Sequence, residues 1–296
     1  QVQLTHRTIV CAFSNANERL CVLWNPEMIR SLMYEAGAIA LRYYDSPEIR
    51  MKADRTIVTQ ADGAVENFLR NALLAANPDT YVLGEESEAE ITESDLSAAL
   101  DGTLYIIDPI DGTSPYAHHL PTWGVSLGMA SNGRLTEGAI YLPVTDELYL
   151  TQGDGVTYWA EKDSEGVRLP PPDPACELST MVAVSQKTAR HGGAGFPNPI
   201  LAISCAVSPL MSVAHGRVMA YCSRVKLWDL AGSLPILERL GLTTRRYDGT
   251  PFTNEISPEN YDLSPSSETR WLQTSLCVFS VPQAYDYLKP YLKPAD

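Results

Sequence analysis

Residues 105 to 113 read YIIDPIDGT. Tyr105, Ile106 and Ile107 have the short, apolar, β-favouring character of a buried strand, and the run ends on Asp108, with a second carboxylate at Asp111. Two acids at the end of a core strand are expensive unless something compensates their charge. The fold must therefore bring that compensation to this strand end. Pro109 fixes its own φ and biases Asp108 to an extended conformation, so the strand direction carries through the first acid. Gly112 lets the backbone approach a ligand closely, and Thr113 suits the opening of a helix whose first N–H groups face outward. Carboxylates beside a helix N-terminus can take a cation and an anion together. Taken alone, D-x-x-D-G-T reads equally well as an Asx-type turn with a helix cap.

Other acids sit at comparable places. Pro26 to Tyr44 reads as a helix, with Met28, Leu32, Ala36, Ile39 and Tyr43 at three- and four-residue steps and Pro47 as a stop. A second helix has Val65, Phe68, Leu69, Ala72, Leu73 and Ala76 on one face and ends before Pro78. Asp62 lies near its start, where a carboxylate serves a helix N-terminus. Tyr81 to Leu83 is strand-like and runs through Gly84 into Glu85 and Glu86. WGVSLGMA, RLTEGAIYL and ELYLTQ read as antiparallel strands joined by turns. Residues 152 to 175 hold four prolines and suggest a division into halves, 1–172 and 173–296. Beyond it, MVAVS, ISCAVSPLMSVAHG, VMAYC, DLAGSLPILERLG and LCVFS alternate strand and helix, the rhythm of a helix-covered sheet.

The formal net charge of −14 and the lack of a dense Lys/Arg cluster argue against nucleic acid as a partner. Six scattered cysteines, without CxxC or zinc-type spacing, read as reduced thiols. The first residues, from Gln1, lack a secretory pattern, and no run of about 18 apolar residues occurs. A cytoplasmic protein without a membrane partner is the expectation.

Three strings decide between cap and chemistry: GEES (84–87), DPIDGTSPY (108–116) and WDLAGS (228–233), with KADRTIVTQAD (52–62) as a fourth. In that order and spacing the sequence resembles the inositol monophosphatase family of Mg2+-dependent, lithium-sensitive phosphatases. That superfamily also holds fructose-1,6-bisphosphatases and 3'-phosphonucleotide phosphatases. The likeness spans about residues 30 to 245. It implies an α+β and α/β chain folded as a layered αβαβα sandwich, commonly a homodimer. The N-terminal half would supply most metal ligands, and the C-terminal half Asp229 and the substrate-recognising groups.

Carried over position by position, the resemblance assigns Glu85, Asp108 and the Ile110 carbonyl to a first metal. Asp108, Asp111 and Asp229 go to a second, and Glu85 and Asp62 lie by a weaker third. Thr113, with Glu85, orients the attacking water. The amides of Gly112 and Thr113, beside Asp111, hold the phosphate. The implied cofactor is Mg2+, two or three ions, with Mn2+ as a substitute. The implied reaction is hydrolysis of a small phosphorylated metabolite, inositol-phosphate-like or a sugar phosphate, by metal-activated water.

The departures concern the substrate. Where inositol-specific members have a glutamate that contacts the ring, this sequence has Cys222, which cannot accept hydrogen bonds as a carboxylate does. Ser114 stands where the nucleotidase branch has a lysine. Fructose-1,6-bisphosphatase, histidinol-phosphatase and 3'(2'),5'-bisphosphate nucleotidase activities stay open, as does a catalytically silent phosphate-binding relative. Retention of Glu85, Asp108, Asp111, Thr113 and Asp229 speaks against silence. Arg224 and Lys226 read as loop charges or as contacts for a second anionic group. His118 and His119 read as loop or packing residues, since Mg2+ prefers oxygen. Pro235, inside the expected last helix, predicts a kink or a late helix start.

Overall fold

The computed structural model describes residues 23–52, 56–190 and 195–292. Cys11, Cys21, Ala53, Asp54 and Arg55 therefore lie outside the described residues, as does the N-terminal stretch on which the targeting expectation rests. Helix α1 (Pro26–Tyr44) starts where the Asn25 side chain accepts the Met28 N–H at 3.0 Å, with proline in the first turn, where its missing donor does no harm. Its buried stripe is Ile29, Met33, Ala36, Gly37, Ile39 and Ala40. That corrects the expected face: Met28 and Leu32 are half-buried and Tyr43 is exposed. The physical reason is a close approach. A Cβ on Gly37 would stand 2.2 Å from the Tyr141 ring, so small residues, not the largest ones, decide which side meets the sheet.

A short antiparallel ribbon of β1 (Ile49–Met51) and β2 (Ile57–Thr59) leads into α2 (Gln60–Ala76). There follow β3 (Tyr81–Gly84), α3 (Glu93–Leu100), β4 (Thr103–Asp111), α4 (Thr113–Ala117), β5 (Gly124–Ser131), β6 (Arg134–Leu142), β7 (Glu147–Gln152), β8 (Gly155–Trp159) and β9 (Val167–Arg168). The strands from β3 to β9 form a seven-stranded sheet in chain order. β3 and β4 are parallel and the later pairs antiparallel. In β4 the side chains alternate as strand geometry requires. Tyr105 and Ile107 enter the core beneath α1 and α2, while Leu104 and Ile106 enter a larger core on the other face.

The remaining elements are β10 (Val182–Ser185), α5 (Gln186–Arg190), β11 (Ile200–Ile203), α6 (Val207–Ala214), β12 (Ala220–Ser223), α7 (Leu227–Ala231), α8 (Ser233–Arg239), β13 (Thr243–Arg246), β14 (Cys277–Ser280) and α9 (Pro282–Leu288). A second, five-stranded sheet has the order β11-β10-β12-β14-β13, with β10, β11 and β12 parallel. Helix α6 touches β12 and β14 of this sheet and β5 of the other, while α7 lies on β4 and β5 and α8 on β6. Sheets and helices are thus layered as expected. The predicted single helix after Trp228 breaks at Gly232 into α7 and α8, which puts Pro235 in the first turn of α8, where no N–H is needed. The break is also where the layers touch: a Cβ on Gly138 would lie 2.0 Å from the Gly232 carbonyl oxygen. Among the described residues no helix is long and apolar enough to cross a membrane.

Candidate metal centre

Strand β4 does not stop at Ile107. It runs through both acids, and its register with β5 shifts between Asp108, opposite Ser126, and Asp111, opposite Gly124. Such an irregularity re-aims side chains. Asp108 and Asp111 thereby converge with Asp229, the third residue of α7, and one carboxylate oxygen from each lies within 4.8 Å of the others. Asp111 accepts the Ala206 amide at 2.7 Å and the Val207 amide, with the Cys205 thiol at 3.5 Å. Asp229 accepts the Lys226 amide at 2.7 Å. Asp108 is 1% exposed, and neither of its oxygens has a hydrogen-bond partner. A buried, unpartnered carboxylate beside two others is the arrangement a hard cation compensates, and the all-oxygen donor set suits Mg2+.

Glu85 follows β3, and its amide extends the β3–β4 pairing by donating to the Ile107 carbonyl at 3.1 Å. Its carboxylate lies 3.3 Å from the Lys52 ammonium, which also holds Glu86 at 2.6 Å. Beneath this turn sits Glu66, a residue the sequence reading passed over. It accepts the Glu86 amide at 2.8 Å, and its carboxylate occupies the space that a Cβ on Gly84 would need, 2.1 Å away. The available signal was an acid four residues after Asp62, on the buried face of an amphipathic helix.

Asp62 serves two neighbours with different oxygens. Oδ2 accepts the Thr59 amide at 2.8 Å and the Thr59 hydroxyl at 2.6 Å, closing the N-terminus of α2. Oδ1 lies 3.3 Å from the Thr113 hydroxyl, which is also 3.1 Å from the Ile110 carbonyl. Gly112, at φ +91°, takes the left-handed turn between β4 and α4.

Burial is the first cause of every titration shift here. It pushes Asp108 well above the carboxylate range, helped by Glu85, Asp111 and Asp229. Glu85 rises to about 8 through burial, against the pull of Lys52. Asp229 rises to about 7, with Asp111 adding to burial and the Lys226 amide opposing it. Asp111 and Asp62 rise only to about 6, because backbone amides offset part of the burial of one and Thr59 part of that of the other.

Glu85, Asp108, Ile110, Asp111, Gly112, Thr113 and Asp229 line one cavity of about 540 Å3, whereas Asp62 stands behind Thr113 and does not reach it. Both sheets deliver carboxyl ends of parallel strands to this cavity, β3 and β4 from one side and β10, β11 and β12 from the other. That is where open α/β sheets bind ligands. Cys222 is not there; its side chain is wholly buried in the core, while its neighbour Tyr221 lines the cavity. Ser114, Arg224 and Lys226 line it too. His118 bonds the Ser114 carbonyl at 2.8 Å and His119 packs edge-on against Tyr44, so both are loop and packing residues.

Comparison with known proteins places this geometry in context. Residues 27–272 match the model described as the inositol monophosphatase family. The inositol-1-monophosphatase of Bacillus subtilis (strain 168) is 29% identical over 240 residues, covering 77% of this chain and 87% of that protein. The histidinol-phosphatase of Chlorobaculum parvum is 26% identical over 230 residues, covering 73% and 83%. Among solved structures, the extragenic suppressor protein suhB from Bartonella henselae superposes with a TM-score of 0.71 at 22% identity, over 90% of this chain and 97% of that one.

Proposed function

The chain belongs to the inositol monophosphatase family, and on that premise we propose that it is a Mg2+-dependent phosphomonoesterase acting on a small phosphorylated metabolite. The observation that carries the metal dependence is Asp108, buried with both oxygens unpartnered beside Asp111 and Asp229. In this reading Asp108, Asp111 and Asp229 hold one ion, and Asp108, Glu85 and the Ile110 carbonyl a second. Glu85 adjoins a third, to which Asp62, set behind Thr113, would connect through water, and Mn2+ substitutes on the same donors. A divalent cation supplies charge neutralisation at the phosphoryl oxygens and a lowered pKa for a water it binds. The chain's own groups do the positioning. The Thr113 hydroxyl donates toward Asp62 or the Ile110 carbonyl, which leaves its oxygen free to accept from a water that Glu85 also orients. Thr113 and Ser114 open α4, so their N–H groups have no intrahelical acceptor, and with Gly112 they seat the phosphate beside Asp111.

Relatives named inositol-1-monophosphatase and histidinol-phosphatase support a small phosphate monoester as the substrate. The burial of Cys222 argues against ring recognition at that position and leaves room for histidinol-phosphatase, fructose-1,6-bisphosphatase or bisphosphate nucleotidase activity as the second reading. We take the active form to be a homodimer. The test is phosphate release from a panel of phosphate esters, each with and without Mg2+ and Li+. Turnover that requires Mg2+ and falls with Li+ is expected. A folded protein that hydrolyses none of the panel in Mg2+ leaves only the silent, phosphate-binding reading.

A further inference from the structure

The cavity wall opposite the carboxylates is basic. Lys187 and Arg190 lie on α5, and Arg224 and Lys226 lie between β12 and α7; all four line the cavity that holds Asp108, Asp111 and Asp229. Parallel pairing brings them together. Val184 stands opposite Cys222, so β10 and β12 end nearly level, and α5 packs back against β12. Some basic side chains of this acidic chain have acidic partners. Arg134, Arg217 and Arg239 pair in this way, with Glu238 and Glu255, Glu147, and Glu137. Lys187, Arg190, Arg224 and Lys226 form no ion pair with a carboxylate among the described residues.

Arg224 is also held in place. Its Nε donates to the Gln273 carbonyl at 2.8 Å, and the Gln273 side-chain oxygen accepts the Val225 amide at 2.9 Å. That strap anchors one edge of the guanidinium and leaves its fork for another acceptor, the geometry that suits phosphate or carboxylate. Lys226 rests its ammonium 4.9 Å from the Trp228 ring centre, beside Asp229. Its charge acts on Asp229, which leaves Lys187, Arg190 and Arg224 as the cavity-lining bases available to a ligand.

We propose that this wall is a second-anion subsite. The substrate is a phosphate ester with a further anionic group, a second phosphate or a carboxylate. Lys187, Arg190 and Arg224 hold that group while the scissile phosphate lies against Gly112 and Thr113. The inference rests on the phosphomonoesterase reading and narrows it. The cavity, about 540 Å3, has room for both groups.

Initial rates in Mg2+ on three esters of one carbon skeleton test it: glucitol 6-phosphate with a neutral far end, glucitol 1,6-bisphosphate with a second phosphate, and 6-phosphogluconate with a carboxylate. The wild-type kcat/KM should favour at least one doubly anionic ester over glucitol 6-phosphate by roughly 10-fold or more, and which one wins distinguishes phosphate from carboxylate. In Lys187→Gln/Arg190→Gln, and separately in Arg224→Gln, that preference should fall toward parity, by about 10-fold, through KM rather than kcat. Arg224→Lys, which keeps charge but not the fork, should recover part of it. A wild-type enzyme that prefers the neutral-ended ester overturns the proposal, as does a preference the variants leave intact. Turnover of none of the three esters, nor of any ester in the wider panel, overturns the phosphomonoesterase reading and this one with it.

Discussion

Asp111 takes two backbone amides and Asp229 one, whereas Asp108 takes none. The three acids therefore ask different things of a cation. For the first two it adds to an existing shell; for Asp108 it replaces an absent one. Asp108→Asn should lower Mg2+-dependent phosphate release by roughly 10^3-fold or more, since it weakens the donor that touches the most charge. The same change should leave the chelated protein folded and at least as thermostable as wild type, because a neutral amide costs less to bury than a carboxylate. Calorimetry beside the phosphate assay checks both; surviving activity would falsify the ligand assignment. At this scale the sequence was legible where residue type and local order suffice, as with Asp108 and Asp111 at the end of β4 and Asp62 at the start of α2. Glu66, whose partner is a main-chain amide 20 residues away, showed only as an acid on the buried face of its helix, four residues after Asp62.

Helix α7 carries Asp229, and its junction with α8 lies against the seven-stranded sheet with no room for a side chain at Gly138. Gly138→Ala should push that junction off β6 and destabilise the protein by about 1–3 kcal/mol, read as a lower denaturant midpoint at an unchanged slope. It should also raise the Mg2+ concentration needed for half-maximal turnover, since Asp229 moves with the helix. Elements were legible in proportion to their periodicity. Strand β4 and the hairpins of β5 to β7 announce themselves through apolar runs and turn residues. Strand β13, TTRR, does not: every one of its residues is half-buried, so no alternation marks it. The stripe of α1 was misplaced because Gly37 and Ala40, which carry almost no hydrophobic signal, are what meets the sheet.

Across the whole molecule, the cluster ties stability to pH. In the metal-free protein Glu85 titrates at about 8 and Asp229 at about 7, with Asp108 raised further by burial and its acidic neighbours. The same groups in the unfolded chain titrate near 4. Between those limits the folded state binds more protons, so this contribution to stability is complete below about pH 4 and is lost as pH rises toward about 8. Thermal scans in chelator should show Tm falling from pH 5 to pH 8, and added Mg2+ should raise Tm more at pH 8 than at pH 5. A metal-free Tm that rose over that interval would contradict the arrangement of charges. The layered architecture was legible because the acidic motifs occur in a fixed order. The basic wall was legible only at Arg224 and Lys226; Lys187 and Arg190 were not, because α5 and the loop after β12 meet only through the parallel register of two strands.

The acids of the cluster come from two distant stretches, Asp108 and Asp111 on one side and Asp229 more than a hundred residues later. During synthesis the first pair leaves the ribosome long before the third exists, and closing so long a loop is slow and entropically opposed. The three acids meet only once β4 and α7 are packed together, and the proposed ion site is complete only then. In the proposed reading, a cation gained at that step would favour only the finished chain over its partly folded forms, a late latch on assembly as well as an agent of hydrolysis.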